Sequence, residues 1–186
     1  MKKPLSFLLT TAVALSLLGC GANNSIKPNT SADETPSTES ASSNPNNIVL
    51  NQITFDTEDI NGDKITSDIM KDAKLVLVNF WEPWCGPCVG EIPDLEKLYE
   101  NYKDQGLLVI GVYSTFDMQE DAEDIIKNSN VTYPIIKCDS ALEHYEQDYV
   151  PATYVTDADG KLLEKDPVAG ALDYNGWEEL VKSYLK

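Results

Sequence analysis

Two cysteines separated by Gly-Pro constrain this chain more than any other feature in it. Trp84-Cys85-Gly86-Pro87-Cys88 follows the apolar run Leu75 to Trp81, and a helical pattern begins near Cys85. Thiols at this spacing can close a small disulfide ring with little backbone movement. In the first turn of a helix, free N–H groups and the positive end of the dipole favour thiolate over thiol. The thiolate is the attacking species in disulfide exchange. Cys85 is therefore expected to attack or be attacked, with Cys88 as the resolving thiol.

The surrounding pattern alternates strands with helices. Ile53-Thr54-Phe55 and Lys64-Ile65-Thr66 flank the turn pair Asn61-Gly62 and predict an N-terminal hairpin. Leu75 to Phe80 is continuous and rich in β-branched residues, as in a strand buried on both faces. Ile92, Leu95, Leu98, Tyr99 and Tyr102 form the stripe of a helix ended by Gly106, and Leu107 to Val112 is a second buried strand. A helix over Met118 to Asn128, a strand over Tyr133 to Ile136 and a short helix within Ser140 to Tyr149 follow. Thr153 to Thr156 and Lys161 to Glu164 read as a hairpin around Asp159-Gly160. Trp177, Leu180, Val181, Tyr184 and Leu185 mark a last helix, with Asn175 and Glu178 as its cap. The fold class is α/β: a central mixed sheet flanked by helices.

The N-terminus carries a different message. Met1-Lys2-Lys3 precedes an apolar stretch, Leu5 to Leu18, too short for a confident membrane span. It ends in Leu17-Leu18-Gly19-Cys20, which resembles the bacterial lipobox. Residues 1–19 are then a signal peptide, and Cys20 receives a diacylglycerol as the mature N-terminus. The alternative is an ordinary signal peptide that happens to contain a cysteine. Two acyl chains suffice for stable anchoring. Residues 20–47 comprise this cysteine and a linker rich in Asn, Ser, Thr and Pro, which cannot bury enough to order itself. Such a coil reaches about 30 Å on average. Residues 48–186 form one domain. The expected location is the extracytoplasmic face of a bacterial cytoplasmic membrane.

The net charge is −17, and there is no arginine. Such a surface avoids nucleic acid and anionic headgroups, so the tether rather than charge holds the domain at the membrane.

With Trp-Cys-Gly-Pro-Cys at a strand-to-helix turn and Val150-Pro151-Ala152-Thr153 far downstream, the chain resembles the thioredoxin superfamily. The string from Val78 to Pro93, Val-Asn-Phe-Trp-Glu-Pro-Trp-Cys-Gly-Pro-Cys-Val-Gly-Glu-Ile-Pro, narrows this to the membrane-anchored TlpA/ResA-like thiol–disulfide oxidoreductases. The resemblance covers residues 48–186, including the N-terminal hairpin and an inserted helix–strand segment near 118–137. It implies an exposed nucleophile at Cys85 and a more buried Cys88. It also implies a cis Pro151 facing the disulfide, with the backbone of Val150 free to pair with a substrate strand. Trp84, Gly86 and Pro87 would join Val150 and Pro151 in substrate contact. Pro93 would kink the helix. Asn79 stands where thioredoxins keep a buried aspartate, and Glu91 supplies a carboxyl one turn beyond Cys88 that takes its proton, if burial raises its pKa. The alternative for Glu91 is a solvated surface residue. Glu82, where the family often has a small residue, reads as exposed, the alternative being a negative charge that opposes thiolate formation at Cys85 or helps select a substrate. Trp81 reads as core. Cys138 reads as a small packing residue, with a second redox thiol as the alternative.

The resemblance implies no cofactor beyond the Cys85–Cys88 disulfide. The partners are disulfide-containing proteins and a CcdA-like membrane thiol donor. Gly-Pro is the thioredoxin dipeptide, at the reducing end of the scale. The favoured reading is a reductase, the alternative an oxidase that introduces disulfides. A zinc site from Cys85, Cys88, Cys138 and His144 is disfavoured by a single C-x-x-C with Gly-Pro inside it. Sco-like copper carriers need a longer cysteine spacing. Peroxiredoxins need an arginine beside a single peroxidatic cysteine.

Overall fold

A computed structural model describes residues 51–186. The expected signal peptide, Cys20 and the linker lie outside the described residues. Strands β1 (Asp56–Glu58) and β2 (Lys64–Thr66) pair antiparallel as the N-terminal hairpin. Then come β3 (Leu75–Phe80), α1 (Gly86–Tyr102), β4 (Leu107–Tyr113), α2 (Gln119–Asn128), β5 (Ile135–Lys137), β6 (Ala152–Thr156), β7 (Val168–Ala169) and α3 (Tyr174–Tyr184). The five-stranded sheet has the order β5-β4-β3-β6-β7. β3 runs parallel to β4 and antiparallel to β6, which makes the sheet mixed.

The central position of β3 follows from its sequence. All six of its residues are buried. Alternation sends Leu75 and Leu77 to one face, where Ile92, Leu95 and Leu98 of α1 and Trp177 and Val181 of α3 cover them. Val76, Val78 and Phe80 point to the other face, against Ile53, Phe55, Met70 and Tyr154. A strand lacking a polar face cannot sit at an edge without exposing apolar surface.

Helix α1 begins where Cys85, in an extended conformation (φ −88°, ψ 102°), serves as its N-cap. Pro87 sits in the first turn, where its missing N–H costs nothing. The helix continues through Pro93, which is exposed and has no N–H to donate to the Val89 carbonyl one turn back. One 3₁₀ turn, Lys103–Gln105, follows, and Gly106 at φ 105° ends the run.

Four expectations need correction. The first hairpin strand is Asp56–Glu58 rather than residues 53–55, because Ile53 and Phe55 are drawn into the core and the Ile53 N–H donates to the Gly160 carbonyl. The Lys161–Glu164 segment turns back on β6 as expected, with Leu163 N–H donating to the Val155 carbonyl at 2.8 Å, but it forms no regular strand there. Lys161 bridges to Gln52, Leu162 makes a single bridge to Thr156, and the partner strand of β6 is β7. The short helix within 140–149 is one 3₁₀ turn, Leu142–Tyr145, started by Asp139 Oδ1 accepting from the N–H groups of Ala141 and Leu142. The cap of α3 is Asp173, whose Oδ1 accepts from Gly176 N–H, and not Asn175, which lies inside the helix.

Candidate active site

The C-terminal ends of β3 and β4 and the start of α1 build the site. Cys85 and Cys88 are joined by a disulfide, with Cα atoms 5.2 Å apart. Cys88 N–H donates to Cys85 Sγ at 3.2 Å, so the helix start directs a backbone donor at that sulfur. Cys85 is 5% exposed and Cys88 is fully buried. The expected order holds, but Cys85 is more covered than an exposed nucleophile would be in this oxidised form. Its Sγ lies 3.6 Å from the Val150 carbonyl oxygen. The Val150–Pro151 bond is cis, and Val150, 65 positions downstream of Cys85, lies against the disulfide. Gly86 and Pro87 are exposed beside it. Trp84 is 62% exposed, and Trp81 is core.

Beneath the disulfide lies a buried polar cluster. Asn79 Nδ2 donates to Glu91 Oε1 at 3.0 Å and to Thr153 Oγ1 at 2.9 Å. Glu91 Oε2 accepts from Leu172 N–H at 3.2 Å. Glu91 is 2% exposed, so the solvated-surface alternative is excluded. Burial pushes its carboxyl up to about 7, against the hydrogen bonds from Asn79 and Leu172, which favour the ionised form. The amide oxygen of Asn79 is buried with no partner among the described residues. Glu91 thus sits in α1 one turn beyond Cys88 with a proton it can hold or release near neutral pH.

Glu82 overturns its expectation. It is 6% exposed rather than solvated. Its Oε1 accepts from Ser114 N–H at 2.9 Å and Ser114 Oγ at 2.6 Å, and its Oε2 from Thr115 N–H at 3.1 Å. The reason is register. Phe80 pairs with Val112 in the parallel β3–β4 ladder, so two residues further on Glu82 meets Ser114. No local pattern reveals this; the adjacency of two strand ends does. Cys138 is free and buried, with its thiol pushed well up by burial, which fits the packing role. Among the described residues no cluster of His, Cys, Asp or Glu is arranged to hold a metal.

A 270 Å³ cleft is lined by Trp84, Tyr149, Val150, Phe80 and Val112, and Val150, whose carbonyl lies 3.6 Å from Cys85 Sγ, links it to the disulfide. Sequence reasoning placed Trp84 and Val150 at a substrate site but missed the cleft they line.

Residues 50–165 match the family model described as the AhpC/TSA family. The chain belongs to that family. Among curated proteins similar to it is the thiol-disulfide oxidoreductase ResA of Bacillus cereus, 30% identical over 113 residues, which are 60% of this chain and 64% of that one. The chain thus spans just under two thirds of the length of that relative. Among solved structures, a thiol:disulfide interchange protein of the thioredoxin family from Chlorobium tepidum superposes with a TM-score of 0.64 at 22% identity, covering 73% of this chain and 96% of the other. The thioredoxin domain of a thiol-disulfide oxidoreductase from Bacteroides vulgatus gives 0.56 at 27% identity, covering 70% and 95%. The fold of this AhpC/TSA member is thioredoxin-like, as its resemblance implied, and its sequence is similar to that of ResA over the matched residues.

Proposed function

We propose that the chain is a lipid-anchored, extracytoplasmic thiol–disulfide oxidoreductase that reduces disulfides in secreted or membrane-associated proteins. The observation that carries the reading is the placement of the Cys85–Cys88 disulfide at the N-terminus of α1, 3.6 Å from the Val150 carbonyl and above a buried Glu91. The ResA relatives, named thiol-disulfide oxidoreductases, support the exchange chemistry in this reading.

In the reduced protein the Cys85 thiolate attacks one sulfur of a substrate disulfide. A mixed disulfide forms, and the other substrate sulfur leaves as a thiolate that takes up a proton. Cys88 loses its proton and attacks Cys85 Sγ. The intramolecular disulfide closes, and the second substrate thiolate leaves. Two electrons pass from the cysteine pair to the substrate. Glu91, buried one helical turn beyond Cys88 with its carboxyl near 7, is the group that takes the Cys88 proton in this reading. The backbone of Val150 beside Cys85 offers an edge for an extended substrate segment. A CcdA-like membrane thiol donor would regenerate the reduced pair, and an acylated Cys20 with the 20–47 linker would keep the domain within its reach.

Trapping tests the reading. Cys88→Ser protein should accumulate mixed disulfides with extracytoplasmic proteins, and Cys85→Ser should not. Equal trapping by both, or by neither, would reject it.

A further inference from the structure

Glu82 is a buried carboxyl group with no cationic partner: none of the ion pairs among the described residues includes it. Burying such a group is costly unless donors replace water. Three do, and all come from Ser114 and Thr115 at the end of β4. The same residue holds the active-site turn, because its carbonyl accepts from Cys85 N–H at 3.0 Å. Thr115 closes the loop. Its N–H donates to Glu82, and its Oγ1 accepts from Trp84 Nε1 at 3.2 Å. Trp84 is the most exposed large apolar side chain among the described residues, yet its indole N–H is fixed. It lines the cleft together with Tyr149 and Val150. A small residue at position 82 would keep the backbone bond to Cys85 but supply none of the three side-chain bonds to Ser114 and Thr115.

We propose that Glu82 is a positioning residue. Its carboxyl group ties the Ser114–Thr115 segment to the active-site turn and so holds the Trp84 indole as a preformed wall for the substrate segment entering beside Cys85. Fixing an exposed aromatic before binding removes part of the ordering cost that a partner would otherwise meet. The effect should favour extended polypeptide disulfides, which must lie along the cleft, over small disulfides that need only reach Cys85. The inference rests on the reading of the chain as a disulfide exchanger.

Two variants test it. In Glu82→Gln one carboxylate oxygen becomes an NH₂ group that faces N–H donors and cannot accept from them. Thr115→Val keeps the Thr115 N–H but removes the acceptor for Trp84. Each is assayed against insulin and against hydroxyethyl disulfide, and the Trp84 indole N–H is followed by NMR, assigned with Trp84→Phe. The ratio of kcat/KM for insulin to that for the small disulfide should fall about tenfold in Glu82→Gln, mainly through KM. Thr115→Val should move it in the same direction. In both, the Trp84 indole resonance should shift and exchange faster with solvent. A ratio that stays at its wild-type value overturns the proposal. So does a changed ratio with an unmoved indole, because the charge alone would then act. If the wild-type protein reduces neither disulfide, the functional reading fails instead, and the indole resonance alone decides whether Glu82 positions Trp84.

Discussion

Asn79 donates to Glu91 at 3.0 Å in a site that neither side chain leaves for solvent. The two residues come from different elements, the buried strand β3 and the active-site helix α1. This contact, with Thr153 and Leu172 around it, is the physical basis for treating Glu91 as part of the redox site rather than as helix surface.

Glu91 should make stability fall as pH rises. Its carboxyl is ordinarily near 4.5 and is pushed to about 7 in the folded protein. Between those values the folded state holds a proton that the unfolded state has released, so ΔG of unfolding decreases with pH across that window and levels off above it. The full change is about 3 kcal/mol. Glu91→Gln should flatten this decline in denaturant titrations at pH 5 and pH 8. It should also remove the inflection near 7 from the pH–rate profile of thiol exchange. A variant with an unchanged profile would leave Glu91 outside the chemistry.

The two cysteines should react in order. Brief alkylation of the reduced protein, read by peptide mass spectrometry, should label Cys85 before Cys88, since Cys85 caps the helix and Cys88 is fully buried. Labelling of Cys88 first would reverse the assignment.

Gly160→Ala should damage the fold without touching the site. Gly160 has φ +79°, and a Cβ there would collide with the Ile53 carbonyl. That carbonyl belongs to the segment whose N–H already binds Gly160. The expected loss is more than about 1 kcal/mol, a fall in Tm of several degrees by calorimetry. The reduction potential of the cysteine pair should not move.

The N-terminus should be acylated. Mass spectrometry of the mature protein should find Cys20 as its first residue, carrying diacylglycerol, and Cys20→Ser should release the domain from membranes. A different mature N-terminus would remove the tether from the account.

Much of this was legible in the residues. The continuous apolar run at 75–80, the helical stripe after Cys85 and the C-x-x-C at their junction locate β3, α1 and the disulfide without coordinates. What local patterns missed depends on which segments meet. Leu162 and Val168 have similar strand character; Leu162 meets only Thr156 at one end of β6, while Val168 and Ala169 pair with Thr153 and Ala152 at the other. Glu82 looks solvated in sequence, and it is buried because parallel pairing carries it to Ser114. Asn175 and Asp173 are both able caps, and only the helix start chose between them.

The central claim is that Cys85 and Cys88 form a reducing couple. Gly-Pro between them is the thioredoxin dipeptide. The lysines nearest in sequence offer no thiolate stabilisation: Lys97 Nζ lies 4.1 Å from the ring centre of Tyr174, and Lys74 precedes the far end of β3. Moving from thioredoxin-like to DsbA-like behaviour would need about 7 kcal/mol of differential stabilisation. Equilibration of the protein with a reference thioredoxin or a glutathione buffer measures the potential directly. The expected value is near that of thioredoxin, about −270 mV, and a value above about −180 mV would contradict the account and make the protein an oxidase.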